Sequence, residues 1–123
     1  MPVLVVDASA LGALVFGEPS GEKVAELLSG GRIIAPSLVW FEVASVCLKK
    51  IRAHPNKKAL IIEAFNNARR LDIEIVQVDH LEAIELALDM GITTYDASYL
   101  WLAREVRADL ITLDETMRKA FSS

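Results

Sequence analysis

Val3-Leu4-Val5-Val6-Asp7-Ala8-Ser9 is four apolar residues, three of them β-branched, that run without a polar break and stop at a carboxylate. A run this short and this β-rich predicts a strand buried on both faces, as in a parallel sheet. The acid then stands at the strand's carboxyl end. In open α/β sheets that is the edge where ligands bind. The rest of the chain reads as bringing further carboxylates to the same edge.

Outward from this strand, helical and extended patterns alternate. Residues 10–16 form a short apolar helix with Ser9 as the expected N-cap, ended at Gly17-Glu18-Pro19. Ser20 caps a second helix that runs to Gly30-Gly31, and residues 33–35 form a second strand stopped by Pro36. Ser37 caps a longer helix to about residue 52. His54-Pro55-Asn56 breaks it, and another helix follows to about residue 70. Residues 73–78 suggest a third strand. Residues 81–90 are helical with Gly91 as C-cap, and residues 95–106 are helical again. Residues 109–113 form a fourth strand, and Asp114 opens a last helix to Phe121. Strands separated by helices imply right-handed crossovers and a three-layer α/β/α sandwich with a central parallel sheet.

The 123 residues suffice for a single domain, 1–123, whose core needs no disulfide or structural metal. The composition is 53% hydrophobic but only 7% aromatic, so the core is mainly aliphatic. The single cysteine, Cys47, rules out an internal disulfide and points to a reducing, cytoplasmic setting. The apolar N-terminus has no basic leader and is interrupted by Asp7, which excludes a signal peptide. No uncharged run approaches a membrane span. A net charge of −4 argues against nucleic acid, unless carboxylates share a metal site, because a bound cation reverses the local sign.

Four acids occupy unusual positions. Asp7 ends the first strand, Glu42 lies in the second turn of the helix after strand two, Asp96 is in the first turn of the helix before strand four, and Asp114 follows strand four. Strand ends and the following helix starts share one edge of a parallel sheet, so Asp7, Glu42 and Asp114 converge there; pattern alone does not place Asp96. Each acid also has a structural explanation. Asp7 competes with Ser9 as a cap, Asp96 can close a capping box with Thr93, and Asp114 can cap the last helix. Glu42 is too deep in its helix to cap it and has Trp40, Phe41, Val43 and Ala44 for neighbours. Converged carboxylates repel, and a hard divalent cation relieves that. Oxygen ligands without a Cys/His pair point to Mg²⁺ or Mn²⁺ rather than zinc, and His54 and His80 stand isolated.

Four stretches carry a resemblance: Val5-Val6-Asp7-Ala8-Ser9, Pro36 to Val43, Thr94 to Ala103 and Leu110-Ile111-Thr112-Leu113-Asp114. In this order, across nearly the whole chain, they resemble the PIN-domain ribonucleases, specifically the VapC-type toxins of toxin–antitoxin pairs. The resemblance implies an acidic pocket in which Asp7, Glu42, Asp96 and Asp114 bind Mg²⁺ or Mn²⁺ and are catalytic, with Ser9 and Thr112 in support. It implies endonucleolytic cleavage of RNA by water attack, leaving a 5′-phosphate and a 3′-hydroxyl. It also implies a homodimer silenced by a VapB-type antitoxin lying in an apolar groove, for which Ala13, Leu14, Phe16, Ile62 and Phe65 are candidates. Family members often carry a further short strand after the last helix. This chain ends at Phe121-Ser122-Ser123, so the sheet is expected to lack it near Asp114.

Lys49, Lys50, Arg52, Lys57 and Lys58 cluster around Pro55, either as a solvated helix end or as a patch holding RNA phosphates. Two rival readings differ in class. A receiver-like phosphoacceptor domain would want adjacent acids after strand one and a lysine after a late strand; Ala8 and Asp114 stand there instead. A catalytically silent PIN domain acting as a binding scaffold is separated from the nuclease by metal-dependent cleavage. There is no glycine-rich phosphate loop after strand one.

Overall fold

The computed structural model describes residues 1–123. Strand β1 (Val3–Val6) leads into α1 (Ala8–Val15) and α2 (Gly21–Leu28), then β2 (Arg32–Ala35), α3 (Leu38–Ala53) and, after a 3-10 turn, α4 (Lys58–Ala68). Strand β3 (Ile73–Ile75), α5 (His80–Met90), α6 (Thr94–Val106), β4 (Asp109–Ile111) and α7 (Glu115–Ser122) complete the chain. The four strands form one parallel sheet in the order β3-β2-β1-β4. The chain thus steps outward from β1 to β2 to β3 and then jumps back past β1 to β4. Right-handed crossovers put the helices of the outward steps on one face and those of the return on the other. The packing agrees: α1 lies against α2, α3 and α4, while α6 lies against α5, α7, β1 and β4.

β1 is a central strand, paired with β2 at Leu4↔Ile33 and with β4 at Val5↔Leu110. Helices cover both of its faces, which is why its sequence is an unbroken apolar run: Val5 and Val6 are wholly buried. Burying each such side chain contributes about 1.5–3 kcal/mol. The point where the strand order reverses lies between β1 and β4. In open α/β sheets the crevice at that point, outside the carboxyl ends, is the ligand site.

Three boundaries differ from the sequence expectation, each for a local reason. The cap of α1 is Asp7, not Ser9; the Ala10 N–H donates to the Asp7 carboxylate at 3.0 Å, so the helix starts earlier, at Ala8. β3 ends at Ile75 rather than Val78. Val76 N–H still donates to Ala35 O at 2.9 Å, but β2 ends at Ala35 and the chain turns into α3 at Leu38, so β3 has no further strand to pair with. β4 ends at Ile111 rather than Leu113, because the next N–H groups turn to hydroxyls: Leu113 N–H donates to Ser9 Oγ and Asp114 N–H to Thr112 Oγ1, both at 3.0 Å. Ser20 and Ser37 stand at helix starts without making a side-chain cap bond. Gly91 ends α5 as expected, in the left-handed conformation at φ 66°. Gly21 is required by packing, since a Cβ there would stand 2.6 Å from the Ala13 carbonyl oxygen where α2 crosses α1. β4 is an edge strand of the four-stranded sheet. No helix is long and apolar enough to cross a membrane.

Candidate active site

Asp7 leaves β1 at the reversal point and is 5% exposed. Its Oδ1 accepts from Ser9 Oγ at 2.7 Å and from Ala10 N–H at 3.0 Å, and its Oδ2 accepts from the Thr112 hydroxyl. Ser9 and Thr112 each use their one proton on Asp7, so their 3.3 Å approach is a contact rather than a bond. Both hydroxyls in turn accept backbone N–H groups from the segment after β4. Two strand ends, separated by more than a hundred residues of chain, are therefore tied through one carboxylate.

The other acids arrive from helices. Glu42 is in the second turn of α3, half-buried, and its Oε1 accepts from the Tyr99 hydroxyl at 2.5 Å. Asp96 stands in the first turn of α6 with its backbone N–H donating to the Thr93 cap at 3.0 Å. Asp114 caps α7, its carboxylate accepting from Met117 N–H at 3.2 Å, and remains exposed. Asp114 thus both caps a helix and adds charge to the acidic edge, whereas the Asp96 carboxylate accepts no bond at the start of α6, which Thr93 caps, and shares only in that charge.

The charges are coupled. Burial pushes the Asp7 carboxyl above its ordinary range, against the lowering effect of its three hydrogen bonds, and the Asp114 charge pushes the same way. Burial also raises Glu42, with Asp96 and Asp7 adding to it and the Tyr99 bond opposing. Asp96 is raised by burial and then by Asp114 and Asp7. The Tyr99 phenol is pushed far up by burial and by Glu42, so it stays a proton donor toward that carboxylate. The four ion pairs of the molecule lie elsewhere: Lys23–Glu26, Arg32–Glu74, Lys50–Glu18 and Arg118–Glu115. None of the four acids has a basic partner.

That donor set has the chemistry of a hard-cation site: carboxylate oxygens and two hydroxyls, uncompensated negative charge, no thiolate and no imidazole. No three acidic, histidine or cysteine side chains are gathered tightly enough to enclose an ion by themselves. This suits Mg²⁺, which keeps several waters and takes one or two carboxylates plus substrate oxygens rather than an all-protein cage.

Tyr99 is a site residue that sequence reading missed. It is 2% exposed and reads as core. The signal was its spacing, since Asp96 and Tyr99 are three residues apart and share one face of a helix. The basic residues lie away from the acids. Glu42 and Lys49 are seven residues apart on α3, about 10 Å along its axis. Lys49, Arg52, Lys57 and Lys58 are exposed. Lys50 is engaged, 2.9 Å from Glu18 and 5.5 Å above the Phe16 ring. Of the groove candidates, Ala13 is 1% exposed and belongs to the core, which removes it from any surface groove. Phe16 lines a groove of about 320 Å³ with Lys50, Lys57, Leu60 and Ile61, while Phe65 packs edge-on to Trp40 and lines a separate one. Leu14 borders a third hollow and Ile62 is 40% exposed.

The family model described as PIN domain matches residues 4–121. The chain belongs to the PIN-domain family. A curated relative, Ribonuclease VapC3 of Pyrobaculum aerophilum, is 30% identical over 123 residues, covering 96% of this PIN domain and 94% of the relative. Among solved structures, that of PAE2754 from Pyrobaculum aerophilum superposes with a TM-score of 0.78 over 97% of this chain and 84% of its own, at 23% identity, and so shares the fold. The PIN-domain resemblance drawn from the four sequence stretches is thereby borne out, and so is the parallel α/β architecture.

Proposed function

We propose that this PIN domain is a metal-dependent endoribonuclease of the VapC toxin type, acting as one domain in the cytoplasm and held inactive by a VapB-type antitoxin. The observation that carries the reading is the edge of four carboxylates without a basic partner at the sheet's reversal point. The similarity to a curated ribonuclease over almost the whole chain supports it.

Asp7, Glu42, Asp96 and Asp114 would hold Mg²⁺ or Mn²⁺. The ion supplies charge to the scissile phosphate and acidity to a water. Ser9 and Thr112 fix both oxygens of Asp7, and Tyr99 fixes one of Glu42, so the carboxylates are oriented before substrate arrives. The raised carboxyl of Asp96 suits it to take the proton of the attacking water. The water oxygen bonds to phosphorus, the bond to the 3′-oxygen breaks, and that oxygen takes a proton from solvent to leave as a hydroxyl. Product RNA should therefore be degraded by an exonuclease that requires a 5′-phosphate. Ends that resist it, or 2′,3′-cyclic phosphates, would refute the in-line water mechanism.

Tyr99→Phe should keep the fold and lower cleavage about 10-fold or more, the usual cost of removing a group that orients a metal ligand. Calorimetry should show weakened Mn²⁺ binding in parallel. Unchanged metal affinity and rate would make Tyr99 a core residue only.

Lys49, Lys50, Arg52, Lys57 and Lys58 are the proposed phosphate-binding residues. Neutralising Lys49, Lys50 and Arg52 together should flatten the slope of log affinity against log salt by about 0.7 for each phosphate that is no longer neutralised. An unchanged slope would remove the patch. The homodimer is supported by Leu81 and Leu88, seven residues apart on one side of α5 and 66% and 79% exposed. The groove beside Phe16 is the proposed seat of antitoxin.

A further inference from the structure

A cavity beside the acidic edge contains none of the four acids. It holds about 800 Å³ between the carboxyl ends of β2 and β3, the start of α5 and the start of α6. It nevertheless adjoins the acidic edge at two points. Ser37 and Leu38 line it at the start of the helix whose second turn carries Glu42. Thr94, Tyr95 and Ser98 line it in the first turns of α6, on either side of Asp96 in sequence. Tyr95 and Asp96 are adjacent, so their Cα atoms lie about 3.8 Å apart across one peptide. Tyr95 is 65% exposed, while its backbone carbonyl accepts from Ser98 Oγ at 2.6 Å.

The lining chemistry selects the ligand. No Asp, Glu, Lys or Arg borders the cavity. A phosphate finds no lysine or arginine there, and a basic side chain finds no carboxylate. The walls are apolar, from Ile75, Val76, Val78 and Ile84, with an aromatic ring at one side and Gln77, Thr94 and His80 as polar groups. The backbone N–H groups of Gln77 and Val78, just beyond the last ladder bond of β3, make no hydrogen bond within the protein. A neutral, planar heterocycle with hydrogen-bonding edges matches all of these features. Single-stranded RNA supplies such a group as an unstacked base, which proteins bind by stacking on aromatic rings and by bonding its edges.

We propose that this cavity binds a nucleobase of the RNA beside the scissile phosphate, with Tyr95 as its stacking platform, and so determines cleavage specificity. The inference rests on the nuclease reading for the position of the phosphate. It does not need cleavage for its test.

The test is binding of fluorescein-labelled single-stranded hexanucleotides to the full chain in EDTA, read by anisotropy. One series carries an abasic residue at each position in turn. The wild type should lose affinity at least fivefold when one particular position is abasic. Tyr95→Ala should lose a similar factor with intact RNA and become insensitive to that abasic position, while Tyr95→Phe should behave as the wild type. The stacking range of about 1–3 kcal/mol per base corresponds to roughly 5- to 150-fold. With Mg²⁺ or Mn²⁺, Tyr95→Ala should cut a degenerate RNA pool with reduced base preference next to the cut. Tyr95→Ala binding intact and abasic RNA as the wild type does would overturn the proposal. So would a shift of Tyr95→Ala from dimer to monomer with unaltered RNA binding, which would assign the cavity to a protein interface. If the wild type never cuts but its binding is abasic-sensitive through Tyr95, the base site stands and the nuclease reading fails.

Discussion

Asp7→Asn should fold, melt higher than the wild type in EDTA at neutral pH, and cut RNA about a hundred- to a thousand-fold more slowly. The rate loss corresponds to the roughly 3–4 kcal/mol of charge stabilisation expected when a bound cation loses its most buried carboxylate. Asparagine keeps the cap, because its carbonyl oxygen can still accept from Ser9 Oγ and Ala10 N–H. The stability gain follows from linkage. The Asp7 carboxyl is raised in the folded protein, chiefly by burial. A raised acid contributes stability that is full below its unfolded value and is lost as pH rises through its folded one. The asparagine has no such loss. The gap in melting temperature between variant and wild type, both metal-free, should therefore widen as pH rises above about 4. A gap that narrows or reverses over that rise would mean that Asp7 is stabilised as the anion, and that the edge does not wait for a cation.

The second large effect is expected of Thr112→Val. Valine keeps the shape and removes one hydroxyl that both donates to Asp7 Oδ2 and accepts from Asp114 N–H at 3.0 Å. Thr112 is 8% exposed, so water replaces those bonds poorly. The variant should lose about 2–3 kcal/mol of stability at neutral pH in urea titration, with the denaturant slope unchanged. Cleavage should fall about 10- to 100-fold, since an oxygen of a metal-holding carboxylate is then unrestrained. Wild-type stability would show that the hydroxyl is not the link between the ends of β1 and β4.

How much of this was legible depended on how local the signal was. The Val3–Val6 run identified a central strand because the packing demand on both faces is written into consecutive residues. Gly91 announced its own left-handed cap. Ser9 was expected as the cap with Asp7 as its competitor, because the two are equally suited by type. Which of the two accepts the helix N–H is decided by Thr112, about a hundred residues away in the chain. Asp96 could not be placed by pattern, because two helices separate β3 from β4 and either could start at the carboxyl edge. What decides it is that α6 must end where β4 begins, so its 13 residues, about 20 Å, run back to that edge. Tyr99 looked like core because it is core, with one polar tip in the site. The cavity beside Tyr95 has no sequence signature at all, since its walls come from three separated segments. Ala13 shows the converse: an apolar residue on a mostly apolar helix cannot be assigned to groove or core before its neighbours are known.

If the four acids make a metal-dependent nuclease, cleavage must follow both the metal and the carboxylates. The most direct test is incubation of purified, antitoxin-free protein with a mixed RNA pool in Mg²⁺ or Mn²⁺, beside identical reactions in EDTA and with Asp96→Asn. Endonucleolytic fragments are expected with either metal and none in the two controls, the variant melting as a folded protein. Cutting that persists in EDTA or in Asp96→Asn would contradict a metal-dependent nuclease. Absence of cutting, together with no heat of Mn²⁺ binding to the folded wild type, would leave the acidic edge without an ion and the chain as a binding scaffold.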